Sequence, residues 1–215
     1  MPLPTEFSVI IGRKDPDGVA PLGNGFYIMQ AGHVVTTRQV VGYHPSDLVV
    51  IAPRMEKINT YQEVAGSHYE VVEAVLAEFD PIRDLVILKT PPAPGLLMGE
   101  IGDFDDLKTG ASLIVTGFPH AGQGKTVLIG RSTELGAKVN LECVGIPVKH
   151  GLLNLASTPV HSGSAVFETQ KGLVVGVLMD SFPPTLREAA ATKAGLPMSQ
   201  TSSCVAADYL REMIG

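Results

Sequence analysis

Thr90-Pro91-Pro92-Ala93-Pro94-Gly95 cannot continue a β-sheet, because a proline has no N–H to give to the ladder. On both sides of it the chain consists of short apolar runs punctuated by glycine, proline and other turn residues. Upstream, candidate strands are Phe7–Ile11, Gly25–Gln30, His33–Thr37, Asp47–Ala52, Tyr69–Ala77 and Leu85–Lys89. Downstream they resume at Ser112–Gly117, Thr126–Ser132, Lys138–Val144, Gly151–Leu155, Ala165–Glu168 and Leu173–Leu178. Many short strands with regular turn signals indicate a sandwich or barrel. The proline segment divides them into two sets of about six, so two packed six-stranded antiparallel β-barrels are expected in an all-β chain. The N-terminal barrel is expected at about residues 5–90, a connector at 91–110 and the C-terminal barrel at about 111–200.

A C-terminal helix is expected at 202–214. Ser202 or Ser203 can cap it, and Val205, Ala206, Tyr209, Leu210 and Ile214 recur at helical spacing. Its expected role is to close the second barrel. Thr185 to Lys193, with its alanine run, fits a second helix or a loop equally.

Composition narrows the function. The 215 residues carry a formal net charge of −6 and no run of Lys or Arg, which argues against a nucleic-acid partner. No apolar run approaches a membrane span. Met1-Pro2-Leu3-Pro4-Thr5-Glu6 lacks the basic and apolar regions of a secretory signal. Cys143 and Cys204 are the only cysteines and lie far apart, as expected of reduced thiols in a cytoplasmic protein. Neither has a neighbouring His or Cys at zinc-binding spacing, so no metal and no cofactor are expected. The chain starts almost directly on its first strand, as one domain of a larger protein would.

Three elements carry chemistry. Ser162 stands in Thr158-Pro159-Val160-His161-Ser162-Gly163-Ser164-Ala165-Val166, immediately before a candidate strand. Asp84 closes Asp80-Pro81-Ile82-Arg83-Asp84 before the apolar run Leu85–Lys89. Gln39 lies in Val35-Thr36-Thr37-Arg38-Gln39-Val40-Val41, downstream of Gly23-Asn24-Gly25-Phe26. An aspartate before a strand is ordinarily only a turn residue. The three together, in this order within a two-barrel pattern, are far more specific.

On these motifs the chain resembles the trypsin-like (chymotrypsin-fold) serine peptidases of the bacterial type. The resemblance extends over almost the whole chain and includes Gly117-Phe118-Pro119 and Leu196-Pro197-Met198-Ser199. It implies that Ser162 is the nucleophile position, Asp84 the orienting acid and Gln39 the base position. In that family the base is histidine. A serine hydroxyl is a poor nucleophile until a base takes its proton, and an amide has no proton-accepting site near neutrality. Loss of the base costs on the order of 10⁶ in kcat in a well-studied serine protease.

Val160 is a second departure. The resemblance implies an oxyanion loop at Val160, His161 and Ser162, with glycine expected where Val160 stands. A β-branched residue in a glycine conformation costs roughly 1–3 kcal/mol. Turning its N–H away loses an oxyanion donor, worth about 10²–10³ in kcat. The resemblance also places Ala156 at the floor of a substrate pocket, with Leu178 and Met179 along its wall. A small floor without a carboxylate suits a modest apolar side chain, although these residues fit plain barrel packing equally.

Other signals are weaker. His33, His44, His68, His120, His150 and His161 are candidates for a substitute base, but none sits in a pattern that singles it out. Gly122-Gln123-Gly124-Lys125-Thr126 has Pro119 where a phosphate loop needs glycine, and strand follows it. The expected function is a serine protease homologue with catalysis lost or severely impaired, binding a peptide or protein in the groove between the barrels. The alternatives are an active serine endopeptidase using Ser162 with a non-standard base, or an engineered inactive form of one.

Overall fold

The computed structural model describes residues 7–28, 32–53, 61–64, 69–92, 99–156, 161–181 and 201–214. The first sheet contains β1 (Ser8–Asp15), β2 (Gly18–Tyr27), β3 (His33–Thr37), β4 (Leu48–Pro53), β5 (Tyr69–Glu73), β6 (Val75–Asp80) and β7 (Leu85–Lys89). Its order is β5-β4-β1-β2-β3-β7-β6. The two outermost strands are consecutive in sequence, parted only by Ala74, whose N–H donates to the carbonyl of Leu48. One bent run, Tyr69 to Asp80, therefore links both ends of the sheet, and with it the N-terminal half has six strand segments. Val34, Val35 and Leu85 to Leu88 are wholly buried, which is why β3 and β7 read as continuous apolar runs without alternation.

The second half is a closed barrel of β8 (Ser112–Gly117), β9 (Ile129–Cys143), β10 (Ile146–Leu153), β11 (Ala165–Glu168), β12 (Val174–Ser181) and β13 (Ser202–Ala206). Its order is β10-β13-β12-β11-β8-β9, all pairs antiparallel. Two expectations are corrected here. The candidate runs Thr126–Ser132 and Lys138–Val144 overlap one long strand, β9, which begins only at Ile129 and ends at Cys143. The helix expected from 202 begins only at Tyr209, as α2 (Tyr209–Ile214). Ser202–Ala206 is a strand buried along its whole length and paired with both β10 and β12. A strand buried on both faces shows no alternation, so its apolar residues merged with the helical spacing that follows. Residues 182–200, which include the Thr185 to Lys193 candidate and the Leu196-Pro197-Met198-Ser199 landmark, lie outside the described residues.

The two halves share a core. Phe7, ahead of β1, meets Phe167 of β11 edge to face at 5.1 Å, and the same cluster takes in Phe26, Val177, Val205 and Leu210. Aromatic pairs in this arrangement add about 0.5–1.5 kcal/mol beyond area burial. The connector crosses by isolated bridges, Ile28 to Gly99 and Ile101 to Val174. Polar contacts finish the junction: Ser8 Oγ and Thr116 Oγ1 are 2.9 Å apart. The Gln62 amide both donates to and accepts from the backbone of Leu128. Among the described residues no helix is long and apolar enough to cross a membrane.

Candidate active site

Gln39 is placed by the end of β3. Thr37 adopts an extended conformation and its hydroxyl accepts from the N–H of Val40, which starts the single-turn helix α1 (Arg38–Val41). This is ordinary Thr capping of free N–H groups. Val40 and Val41 turn into the core, leaving Gln39 exposed.

Asp84 arrives from the opposite side on the turn between β6 and β7. Asp80 builds that turn: its Oδ1 accepts from the N–H groups of Ile82 and Arg83, and its Oδ2 pairs with the Arg83 guanidinium at 2.7 Å. Arg83 also lies 3.9 Å above the ring of Tyr209, tying the turn to α2. Asp84 then takes a left-handed conformation (φ 57°), which a short polar side chain tolerates better than most. Its carbonyl accepts from Arg38 N–H at 3.0 Å and its carboxylate accepts from the backbone N–H of Gln39. Burial raises the Asp84 pKa above its ordinary value, against the lowering by the Gln39 N–H and by the Arg38 charge.

Ser162 comes from the C-terminal barrel, just before β11, and is 1% exposed. Its carbonyl accepts from the N–H of Asn24 in β2 at 3.1 Å. Gly163 has φ 84°, and a Cβ there would lie 2.1 Å from the Asn24 carbonyl oxygen and 2.7 Å from Thr36 Oγ1. Only glycine supplies both that conformation and that approach. Asn24 completes the junction: its carbonyl accepts from Thr36 Oγ1 at 2.7 Å, and its Oδ1 accepts from Phe118 N–H at 2.6 Å. The serine loop is thus pressed onto Thr36, one residue before the cap of the helix that carries Gln39. Gln39 and Asp84 touch directly, and Ser162 is joined to them across the barrel interface through Asn24 and Thr36.

The Ser162 hydroxyl donates to the carbonyl of Met179 in β12. Met179 is partly buried against the shared core. Leu178 is wholly buried in the C-terminal barrel core with Phe104, Val166 and Cys204. Of the two readings of Leu178, a pocket wall or plain barrel packing, its full burial agrees with packing. Ala156 is exposed, and its carbonyl accepts from Arg131 at 2.7 Å. His161 is half-buried beside the serine, whereas Val160 lies outside the described residues.

The remaining histidines sit elsewhere. His33 begins β3, paired with Lys89 at the end opposite Gln39. His44 is exposed, and His120 precedes a 3₁₀ turn over Ala121–Gln123, where the glycine-rich stretch folds. His150 is paired with Val139 and Val205 in the second barrel, and burial lowers its pKa to about 4. His68 is outside the described residues. Asp103, Asp105 and Asp208 approach one another, but Lys149 forms ion pairs with two of them. A surface hollow of about 460 Å³, lined by Asp106, Lys108, Glu168 and Lys171 among others, includes none of Gln39, Asp84 and Ser162.

The family model for the trypsin-like peptidase domain matches residues 23–177, from the strand holding Asn24 to the strand holding Met179. The chain belongs to the trypsin-like peptidase family. It is 29% identical over 171 residues to a protein of Rickettsia prowazekii (strain Madrid E) described as "Probable periplasmic serine endoprotease DegP-like", covering 80% of this chain and 30% of that one. Among solved structures, the protease domain of MamO from Magnetospirillum magneticum (apo form) matches with TM-score 0.70 at 14% identity, covering 98% of this chain and 96% of that one. The HtrA-type protease AlgW with decapeptide matches with TM-score 0.68 at 14% identity, covering 95% and 62%. The chain therefore spans under a third of its Rickettsia relative and less than two thirds of AlgW. At these identities the solved structures establish the fold of a trypsin-like peptidase.

Two participants carry little signal in the sequence. Asn24 is 1% exposed; its backbone N–H holds the serine loop through the Ser162 carbonyl, and its side chain accepts from Phe118 N–H. A polar residue between two glycines in Gly23-Asn24-Gly25 is the available signal. The Met179 carbonyl, as a backbone group, has none.

Proposed function

We propose that this domain is a trypsin-like serine protease homologue whose hydrolytic step is lost, and that it acts by holding an extended peptide between its barrels. Ser162 takes the nucleophile position, Asp84 the orienting acid and Gln39 the base position. The observation that carries the reading is the pairing of Gln39 and Asp84. The carboxylate still receives the backbone N–H of residue 39, so the frame that orients a base is kept around a side chain that cannot be one. The Ser162 proton, meanwhile, is directed to a backbone carbonyl. An added peptide needs only main-chain groups and side-chain pockets, neither of which depends on a base. The decapeptide-bound AlgW structure supports a peptide as the ligand class. Two unpaired cysteines support a cytoplasmic setting.

The reversion series Gln39→His and Gln39→His/Val160→Gly, assayed with fluorogenic peptides, tests this reading. The unaltered chain should stay at background, with the double change first to gain activity. Full activity from Gln39→His alone would remove the Val160 lesion and favour a recently or deliberately inactivated enzyme. Turnover by the unaltered chain would establish the alternative, a peptidase with a non-standard base.

A further inference from the structure

Resting on the peptide-holding reading, we propose that Ser162 serves as a latch on the peptide groove: its hydroxyl occupies the Met179 carbonyl, and an incoming peptide must displace it. The location of Met179 in β12 makes its carbonyl the relevant one. Pairing of β12 with β11 extends to Val177, opposite Ala165. Beyond it, Leu178 is saturated, its N–H donating to Ser164 and its carbonyl accepting from Gly163, both at 2.8 Å. Pairing with β13 matches Leu178 to Cys204 and then resumes only at Ser181 opposite Ser202. Met179 and Asp180 fall in that interruption. On the β11 side the ladder has already ended, and Leu178 is the last residue bonded to the backbone of the serine loop. Among the described residues no strand therefore pairs with that side of β12 from Met179 onward, and an open side of this kind is what strand addition requires.

The acceptor at this gap is taken by Ser162, which is itself held from behind. Its carbonyl is bonded to Asn24, and the next residue is wedged against Asn24 and Thr36. The hydroxyl thus competes with one main-chain N–H of the ligand for the Met179 carbonyl. It also explains a use for a serine whose base is gone: the side chain gates the groove. Because one net hydrogen bond is exchanged for another, removal of the hydroxyl should tighten peptide binding by roughly two- to tenfold.

Met179-Asp180 is the only Met-Asp pair in the chain. Protein labelled with carbonyl-¹³C methionine and ¹⁵N aspartate therefore gives a single correlated signal, from the Met179 carbonyl. The unaltered protein and Ser162→Ala are compared by this signal, and each is titrated with a fluorescein-labelled decapeptide of Ala, Val and Leu. The proposal expects a shifted carbonyl resonance in Ser162→Ala, a shift in the unaltered protein on adding decapeptide, and tighter binding by the variant. An unchanged resonance in Ser162→Ala overturns the latch while decapeptide binding leaves the groove reading standing. A shifted resonance with equal affinities shows a contact that gates nothing and also overturns it. Failure of both proteins to bind at millimolar decapeptide overturns the groove reading together with the latch. If Ser162→Ala does not fold, the titration of unaltered protein decides: binding that leaves the Met179 carbonyl unmoved refutes the proposal.

Discussion

The Asp84 carboxylate accepts the backbone N–H of Gln39, while the Asp84 carbonyl accepts that of Arg38 at 3.0 Å. The aspartate is therefore bound to the main chain of α1, and its position does not depend on which side chain residue 39 carries. This separates the architecture of a peptidase from its chemistry.

Burial outweighs the Gln39 N–H and the Arg38 charge, so the folded pKa of Asp84 lies above its ordinary value of 3.8. A raised carboxyl pKa favours the folded state at low pH and loses that contribution as pH climbs through the folded value. Asp84→Asn keeps an acceptor for the Gln39 N–H and tolerates positive φ, but it does not ionise. Urea unfolding of both proteins should show the variant gaining on the parent between pH 4 and pH 7. A stability difference that stays flat with pH contradicts the shift.

Gly163→Ala should be strongly destabilising. The added methyl would meet the Asn24 carbonyl at 2.1 Å, on a residue already at φ 84°. Overpacking of this kind costs about 1–3 kcal/mol, with about 1–2 kcal/mol more for the left-handed conformation. Chemical denaturation should register a loss of at least about 2 kcal/mol. A variant within about 0.5 kcal/mol of the parent would mean that the serine loop does not pack on Asn24.

The thiols should differ sharply. Cys204 is wholly buried in the second barrel and its pKa is pushed up to about 12, whereas Cys143 is partly exposed near the β9–β10 turn. Because the thiolate is the reactive form, an aromatic disulfide reagent at pH 8 should titrate one thiol in native protein and a second only in denaturant. Rapid reaction of both in the native state would contradict the packing of β13.

Much of the fold is legible in the amino-acid sequence. The apolar runs locate most strands of the first sheet and of the closed barrel, since period-2 patterning and turn residues are local signals. The motifs around Gln39, Asp84 and Ser162 are legible as the proposed site, because each sits at the end of a strand whose run is unmistakable. The features that leave no such mark are non-local. Ser202–Ala206 joins the barrel only by pairing with β10 and β12, a fact with no counterpart in its own spacing. Leu178 precedes Met179, whose carbonyl meets the Ser162 hydroxyl, yet the Leu178 side chain lies in the core. The Ser162 contact is to a backbone carbonyl, and backbone groups are the same at every position.

The central claim, that the serine is no longer a working nucleophile, is tested most directly by a fluorophosphonate probe, which reports hydroxyl activation without needing a substrate. Unaltered protein should remain unlabelled under conditions that label an active serine peptidase to completion, and mass spectrometry should find Ser162 unmodified. Rapid, stoichiometric labelling at Ser162 would contradict the account and establish an active peptidase with a base other than Gln39.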